Sequence, residues 1–236
     1  FFVALFCISL FSLSFFVYFI FNKNSIPYNS INNLLISNDN FVSYDFLKLC
    51  LETIVLSLLS TGLAVSFPPL FILVFNNKIG ILIIRSISFL FRLIPPPIII
   101  LVLLMFNDPS ISLAALTLGL HNAAITSHLL LGNLYSQDNK EYIAMKSLGV
   151  EKSSSWLFGL FIKQARSYLA YCAYRSDIII RETAILGVIG SVGLGWQLQE
   201  SLSSFAWDEV IIILFAYSSI AIIGELINGK IKSNLT

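Results

Sequence analysis

The chain has 236 residues, of which 57% are hydrophobic and only 11% charged, with a formal net charge of +1. Soluble domains carry about 25% charged residues, so this composition excludes an ordinary soluble globule, and the near-neutral balance offers no electrostatic footprint for nucleic acid. Cys7, Cys50 and Cys172 sit in apolar segments without CxxC or His-paired spacing, which points to neither a disulfide framework nor a metal site.

The apolar residues gather into blocks near or above the ~20 residues that cross a bilayer, and six spans can be drawn. The first covers residues 1–21. It is longer than the h-region of a signal peptide and no A-x-A site follows, so it reads as a retained helix. The chain opens on Phe1 rather than Met, and a few residues are expected to precede it. Residues 22–48 form a linker whose Asn/Ser-rich stretch, 22–40, reads as external. A core domain is expected over 49–236, with a second span over about 49–75.

The third span, about 79–106, carries Arg85, Ser88 and Arg92 at i, i+3 and i+7, which makes one polar stripe. No acid lies on that helix. The planar, permanently charged guanidinium suits phosphate-like oxyanions. The structural alternative is that Arg85 snorkels to the cytoplasmic face and Arg92 pairs with Glu52 or Asp177. Pro95, Pro96 and Pro97 remove three consecutive backbone donors and must break or kink this span. The fourth span, about 111–131, holds His121, Ser127 and His128. No acid lies near them and the GxSxG elbow is absent, so interface histidines are favoured over an intramembrane enzyme using His121.

Between spans four and five, about 138–165, lies the largest cytoplasmic segment. Helix formers run to Leu148, Gly149 ends the helix, and Trp156, Leu157, Leu160 and Phe161 mark a second amphipathic stretch. This helix-turn-helix suits docking of a partner protein at the membrane surface; the plain alternative is an interfacial loop.

The fifth span, 168–189, places Arg175, Asp177, Arg181 and Glu182 in an apolar run, then Gly187 near its end, with Gly190, Gly193 and Gly195 just beyond it. Ionisable groups at membrane depth face a bundle interior or a water-filled path. Glycines there permit close backbone approach and irregular turns. Asp177 and Arg181, at i,i+4, can pair on one face. Arg175 and Glu182, at i,i+7, share a neighbouring face and can pair with other helices. The four charges sum to zero, so a self-neutralising packing network and a polar surface guiding an oxyanion both fit. The sixth span covers 210–227. Its end, Gly224 to Ile231, nearly spells a phosphate-binding loop, but Ile231 replaces the required Ser/Thr and no strand precedes it.

Lys and Arg set the orientation. With the N-terminus cytoplasmic, inside loops hold Lys78, Lys140, Lys146, Lys152, Lys163, Arg166, Lys230 and Lys232, whereas outside loops hold only Lys23 and Lys48.

The cytoplasmic run IAMKSLGVEKSSSWLFGLFIKQ resembles the EAA loop of ATP-binding-cassette (ABC) importer permeases. Anchored on Gly149, the family's Ala falls on Ala144, its Glu on Ile143 with Glu141 two residues early, and its Leu-Pro ending on Ile162-Lys163. Glu52-Thr53 with Ser60-Thr61 is similar to the family's E-T…G-T opening, and Arg92-x-x-Pro95 to its R-x-I-P pattern. Tyr174-Arg175-x-Asp177 with Arg181, Leu186-Gly187 and Gly190-x-x-Gly193-x-Gly195 resembles the phosphonate/phosphite-type branch, with Asp177 for its Glu and Val192 for one glycine. The resemblance covers about residues 45–236. It implies an all-α membrane protein of the type I importer permease fold, with six spans and both termini cytoplasmic, in a bacterial cytoplasmic (inner) membrane. It further implies a homodimer of permease copies, two ATPase subunits that carry ATP and Mg, and an external or periplasmic solute-binding protein. The chain itself would then be non-catalytic and hold no cofactor, moving phosphonate, phosphite or a related oxyanion; an amino acid or inorganic phosphate is the alternative solute. Ala144, Gly149, Trp156 and Phe161 would serve ATPase coupling. Arg85, Arg92, Arg175, Asp177, Arg181, Glu182 and the four glycines would line the path or gate.

Overall fold

The computed structural model describes residues 44–75, 77–136 and 140–233, and the expected first span and most of the linker lie outside them. The described residues contain helices and connecting turns but no strand. Helix α1 runs Tyr44–Val74 and so takes in the last residues expected in the linker. Helix α2 is Lys78–Leu93 and α3 is Pro96–Leu104. Helix α4 is Ile111–Ser136. Helix α5 (Lys140–Ser147), α6 (Lys152–Trp156) and a π-helical turn (Leu157–Phe161) lead into α7, Ile162–Gly190. Helix α8 is Gly193–Ser203 and α9 is Trp207–Ser233. Three helices are long and apolar enough to cross a membrane, or up to five if each of two bent pairs counts as one span.

Helices in lipid gain no hydrophobic energy by meeting, so close packing of small residues and interhelical hydrogen bonds must hold them together. The long α1–α4 contact shows the first device. Ala114, Ala115, Ala123 and Ala124 are buried on α4. A Cβ at Gly119 would stand 2.7 Å from the Leu63 side chain. One core cluster joins Leu56, Leu59, Leu63, Ile100, Leu118, Ile179 and Leu186. A second joins Ile72, Ile84, Leu130, Leu131, Trp156 and Tyr168 nearer the α5–α6 end.

The second device answers a cost that prolines impose. Pro68 and Pro69 lie inside α1 and cannot donate to the carbonyls four residues earlier, Ala64 and Val65. An unpaired carbonyl in lipid costs several kcal/mol, roughly. Thr126 Oγ1 of α4 donates to the Ala64 carbonyl at 2.8 Å, and Tyr168 Oη of α7 donates to the Val65 carbonyl at 2.7 Å. Pro95 likewise frees the Phe91 carbonyl, which meets His121 Nδ1 at 3.0 Å. Three carbonyls orphaned by proline are thus capped from neighbouring helices, and α1 stays helical through its Pro-Pro step.

At Pro95–Pro97 the chain does break. Helices α2 and α3 meet at 93°. Nine residues make α3 only about 14 Å long, too short to cross the hydrocarbon by itself. The expected third span is therefore a broken element, as the three prolines require. The fifth continues past its expected end: after Gly190 the backbone turns through Ser191 (φ +54°) and Gly193 (φ +61°), and α8 leaves at 58°. With spans only over 168–189 and 210–227, the hydropathy pattern leaves a connecting loop where α8 stands. An 11-residue helix that starts on a glycine turn and contains Glu200 lacks a spanning hydropathy signal.

Candidate functional site

The charges of α7 separate into two networks. Arg175 and Glu182 pair with each other at 3.6 Å and are largely buried, with side chains 14% and 25% exposed. Asn122 of α4, fully buried, joins them: its Nδ2 donates to Glu182 Oε2 at 3.0 Å and to the Leu118 carbonyl at 2.9 Å, while its Oδ1 accepts from Arg175 Nε. The i,i+7 pair is therefore closed through another helix. Asn122 carried no signal in the sequence, where one amide in an apolar helix looks incidental.

The second network faces α9. Arg181 bonds Asp177 at 2.8 Å, the expected i,i+4 pair, and reaches Glu225 of α9 at 3.6 Å. Two carboxylates share this one guanidinium. The second oxygen of Asp177, Oδ1, is buried with no partner among the described residues, as is Trp196 Nε1 of α8. Thr183 adds a hydrogen bond of 2.7 Å to Tyr217, so α7 and α9 are joined by both ionic and neutral contacts.

The expected polar stripe of α2 is divided. Ser88 is buried against α4, whereas Arg85 and Arg92 are exposed. Neither acid proposed as a partner for Arg92 meets it: Asp177 holds Arg181, and Glu52 accepts the Gly193 N–H at 3.3 Å. Next to Ser88, a recess of about 190 Å³ between α1, α2 and α4 is lined by Phe67, Phe71, Phe75, Ile84 and Phe91. It offers almost nothing to a charged solute. His128 is exposed on α4, while His121 is buried against the α2–α3 break.

The four glycines prove to be a crossing point. A Cβ at Gly187 would lie 2.8 Å from the Val192 carbonyl oxygen and 3.1 Å from Gly195 Cα; one at Gly195 would lie 2.6 Å from the Ala184 carbonyl oxygen. Gly190 abuts Ile100 and Ala114. The start of α8 is capped by α1, with Glu52 accepting from Gly193 N–H and Thr53 Oγ1 accepting from Leu194 N–H at 3.0 Å. A carboxylate at a helix N-terminus is also favoured by the helix dipole. The Glu52-Thr53 dipeptide thus holds the turn that the glycines permit.

In the segment between α4 and α7, Gly149 has φ +80° and closes a Schellman motif: its N–H donates to the Lys146 carbonyl at 3.1 Å, and Val150 N–H donates to the Met145 carbonyl at 3.2 Å. Ala144 and Ile143 (60% exposed) lie on the outer side of α5, and Leu148 (83%) and Val150 (40%) on the turn that follows it. Trp156 is buried and stacks on Phe161 at 5.4 Å. These two aromatics anchor the segment, and α5 with its following turn presents the outward surface. At Gly159 of the π-turn a Cβ would come 3.0 Å from the Tyr142 backbone, so the missing side chain lets α5 lie against it. Glu141 bonds Lys163 at 2.9 Å, and this ammonium holds the Glu141 carboxyl below the usual carboxylate range.

Gly149 gives a clean surface test, since nothing lies within 4 Å of a Cβ built there. Gly149→Ala adds only backbone strain, about 1–2 kcal/mol for a left-handed residue, whereas Gly149→Asp also adds charge to the exposed turn. If an ATPase subunit docks here, as the family resemblance implies, binding-protein-stimulated ATPase activity of reconstituted complexes should fall several-fold in Gly149→Asp and less in Gly149→Ala. Equal stimulation in all three proteins would refute docking at this turn.

No known protein-family profile matches the chain. A chain from the crystal structure of an amino acid ABC transporter has the same fold, with a TM-score of 0.63, 18% identity, and coverage of 84% of this chain and 100% of that one. The fold is therefore that of this ABC-transporter chain, and the long apolar helices among the described residues indicate a multi-pass membrane protein. The sequence is also similar, at 25% identity over 151 residues, to a Stutzerimonas stutzeri protein named "Putative phosphite transport system permease protein HtxE". That match covers 64% of this chain and spans about 58% of the relative's length.

Proposed function

We propose that this chain is the permease subunit of an ABC importer that moves a phosphorus oxyanion, phosphite or a phosphonate, across a bacterial cytoplasmic membrane. Two permease copies, two ATPase subunits carrying ATP and Mg, and an external solute-binding protein make up the working complex. Each copy has six spans and cytoplasmic termini. ATP-driven closure of the ATPases pushes on α5 and rocks the permease between inward- and outward-facing states.

The observation that carries this reading is the pairing of a broken α2–α3 element with the Arg175–Asn122–Glu182 network. Discontinuous helices beside buried polar groups are how transporters build a path at membrane depth. The solute class is supported by the name of the Stutzerimonas relative and by Arg92. This exposed guanidinium lies about 21 Å along α2 from Lys78, and a charge that far along a spanning helix is costly where it faces lipid. The amino acid transporter that shares the fold favours a second reading, in which the solute is an amino acid.

Uptake of phosphite, methylphosphonate, phosphate and an amino acid panel by proteoliposomes holding the full complex separates the two. Phosphite or phosphonate uptake is expected, and Arg92→Gln should lower it about tenfold with the complex still assembled, the ratio of a lost charged hydrogen bond. Amino acid uptake alone would overturn the oxyanion reading, and full oxyanion uptake by Arg92→Gln would remove Arg92 from the path.

A further inference from the structure

We infer that His121 and Asn122 form a joint that makes the α2–α3 break and the α7 ion pair move together, so that the break gates the path. The inference rests on the transport reading above. The two residues are consecutive on α4, and each holds a different neighbour. A carbonyl only accepts, so Nδ1 of His121 carries the proton in its 3.0 Å bond to the Phe91 oxygen. That oxygen is available because Pro95 has no N–H to offer it. Asn122 holds Glu182 and Arg175 on its other side, with its amide fully buried.

The contrast with the other proline sites singles this one out. Thr126 and Tyr168 cap Ala64 and Val65 within a helix that stays continuous, and no ion pair in the described residues involves either. At the break, Pro96 and Pro97 also withhold the donors that would continue α2, so the helix ladder that resists bending elsewhere is missing. Hinges lie where such restraint is weak, and here His121 supplies a restraint from outside the helix. A shift of α7 displaces Arg175 and Glu182, these draw on Asn122, and the same turn of α4 carries the His121–Phe91 bond.

The test uses the intact complex and compares His121→Asn, His121→Gln and His121→Phe. An Asn amide nitrogen occupies the position of Nδ1 and can donate to Phe91; a Gln amide reaches the position of Nε2 and cannot do so from the same rotamer; Phe has no donor. The readout is solute transported per ATP hydrolysed, with thermal stability measured in parallel, because a purely structural role would change stability without changing that ratio. His121→Asn should keep the wild-type ratio, and His121→Gln and His121→Phe should each lose about tenfold, as expected for one lost hydrogen bond to a buried carbonyl. If His121→Phe does not assemble, the Asn and Gln variants decide. Wild-type ratios in both, or equal losses in both, would overturn the joint. A wild-type complex that shows no ATP-dependent uptake would instead sink the transport reading, before any variant is compared.

Discussion

Gly193→Val is expected to reduce uptake at least about tenfold while the permease still assembles. Gly193 adopts φ +61°, which a β-branched residue almost never takes. Its new Cβ would stand 2.6 Å from Thr53 Oγ1 and 3.3 Å from Thr53 N. Relief would push the start of α8 away from α1 and strip the caps that Glu52 and Thr53 give to Gly193 and Leu194. The left-handed conformation alone costs about 1–2 kcal/mol for an L-residue, and the lost caps add about 1 kcal/mol each. The long helices α1, α4 and α7 do not depend on that turn, so assembly should survive. Gly132→Ala is the matched control, since nothing lies within 4 Å of a Cβ there and Ala favours helix. Uptake and gel-filtration profiles of the two variants check the expectation; full uptake by Gly193→Val would mean that the α7–α8 turn takes no part in transport.

Arg175→Leu should be the most destabilising single change. It leaves Glu182 and the Asn122 oxygen without their cation in a site where both are largely buried. Breaking a buried pair from one side costs about 3–5 kcal/mol, chiefly because the remaining charge is uncompensated. Arg175→Leu with Glu182→Leu should recover most of that stability, because replacing a buried pair by apolar residues is often neutral. Thermal unfolding of the purified permease complex measures both. Recovery of stability without recovery of uptake would show that the pair serves transport, whereas recovery of both would make it packing alone. No recovery in the double variant would mean that Arg175 has contacts beyond this pair.

What the sequence made legible follows the range of the physics involved. The positions of helices α1, α4 and α9, the break at Pro95–Pro97 and the Asp177–Arg181 pair depend on segment hydropathy, local covalent constraint and i,i+4 spacing, and each is visible within one segment. The glycine cluster was legible as a tight backbone path, but not what it approaches, because Thr53 and Glu52 lie 141 residues away. Asn122 closes the Arg175–Glu182 pair across separations of 53 and 60 residues, and Tyr168 caps Val65 across 103. Pairs of that range leave no trace in periodicity. The helical spacing of Arg85, Ser88 and Arg92 suggested one shared surface, yet α4 covers only the Ser88 side. Trp156 and Phe161 looked like a docking surface because amphipathic periodicity does not tell which apolar residues turn inward. Their stacking leaves Ile143, Leu148 and Val150 as the outward group.

The central claim is that this chain conducts a solute using energy released on another subunit. Its most direct test is solute accumulation by proteoliposomes in which the full-length permease is reconstituted with the proposed ATPase and solute-binding protein. The account predicts phosphite or phosphonate accumulation that requires ATP, Mg and the loaded binding protein, and that stops when the ATPase cannot hydrolyse ATP. Equal accumulation without ATP, or ATP hydrolysis by the permease chain alone, would contradict it.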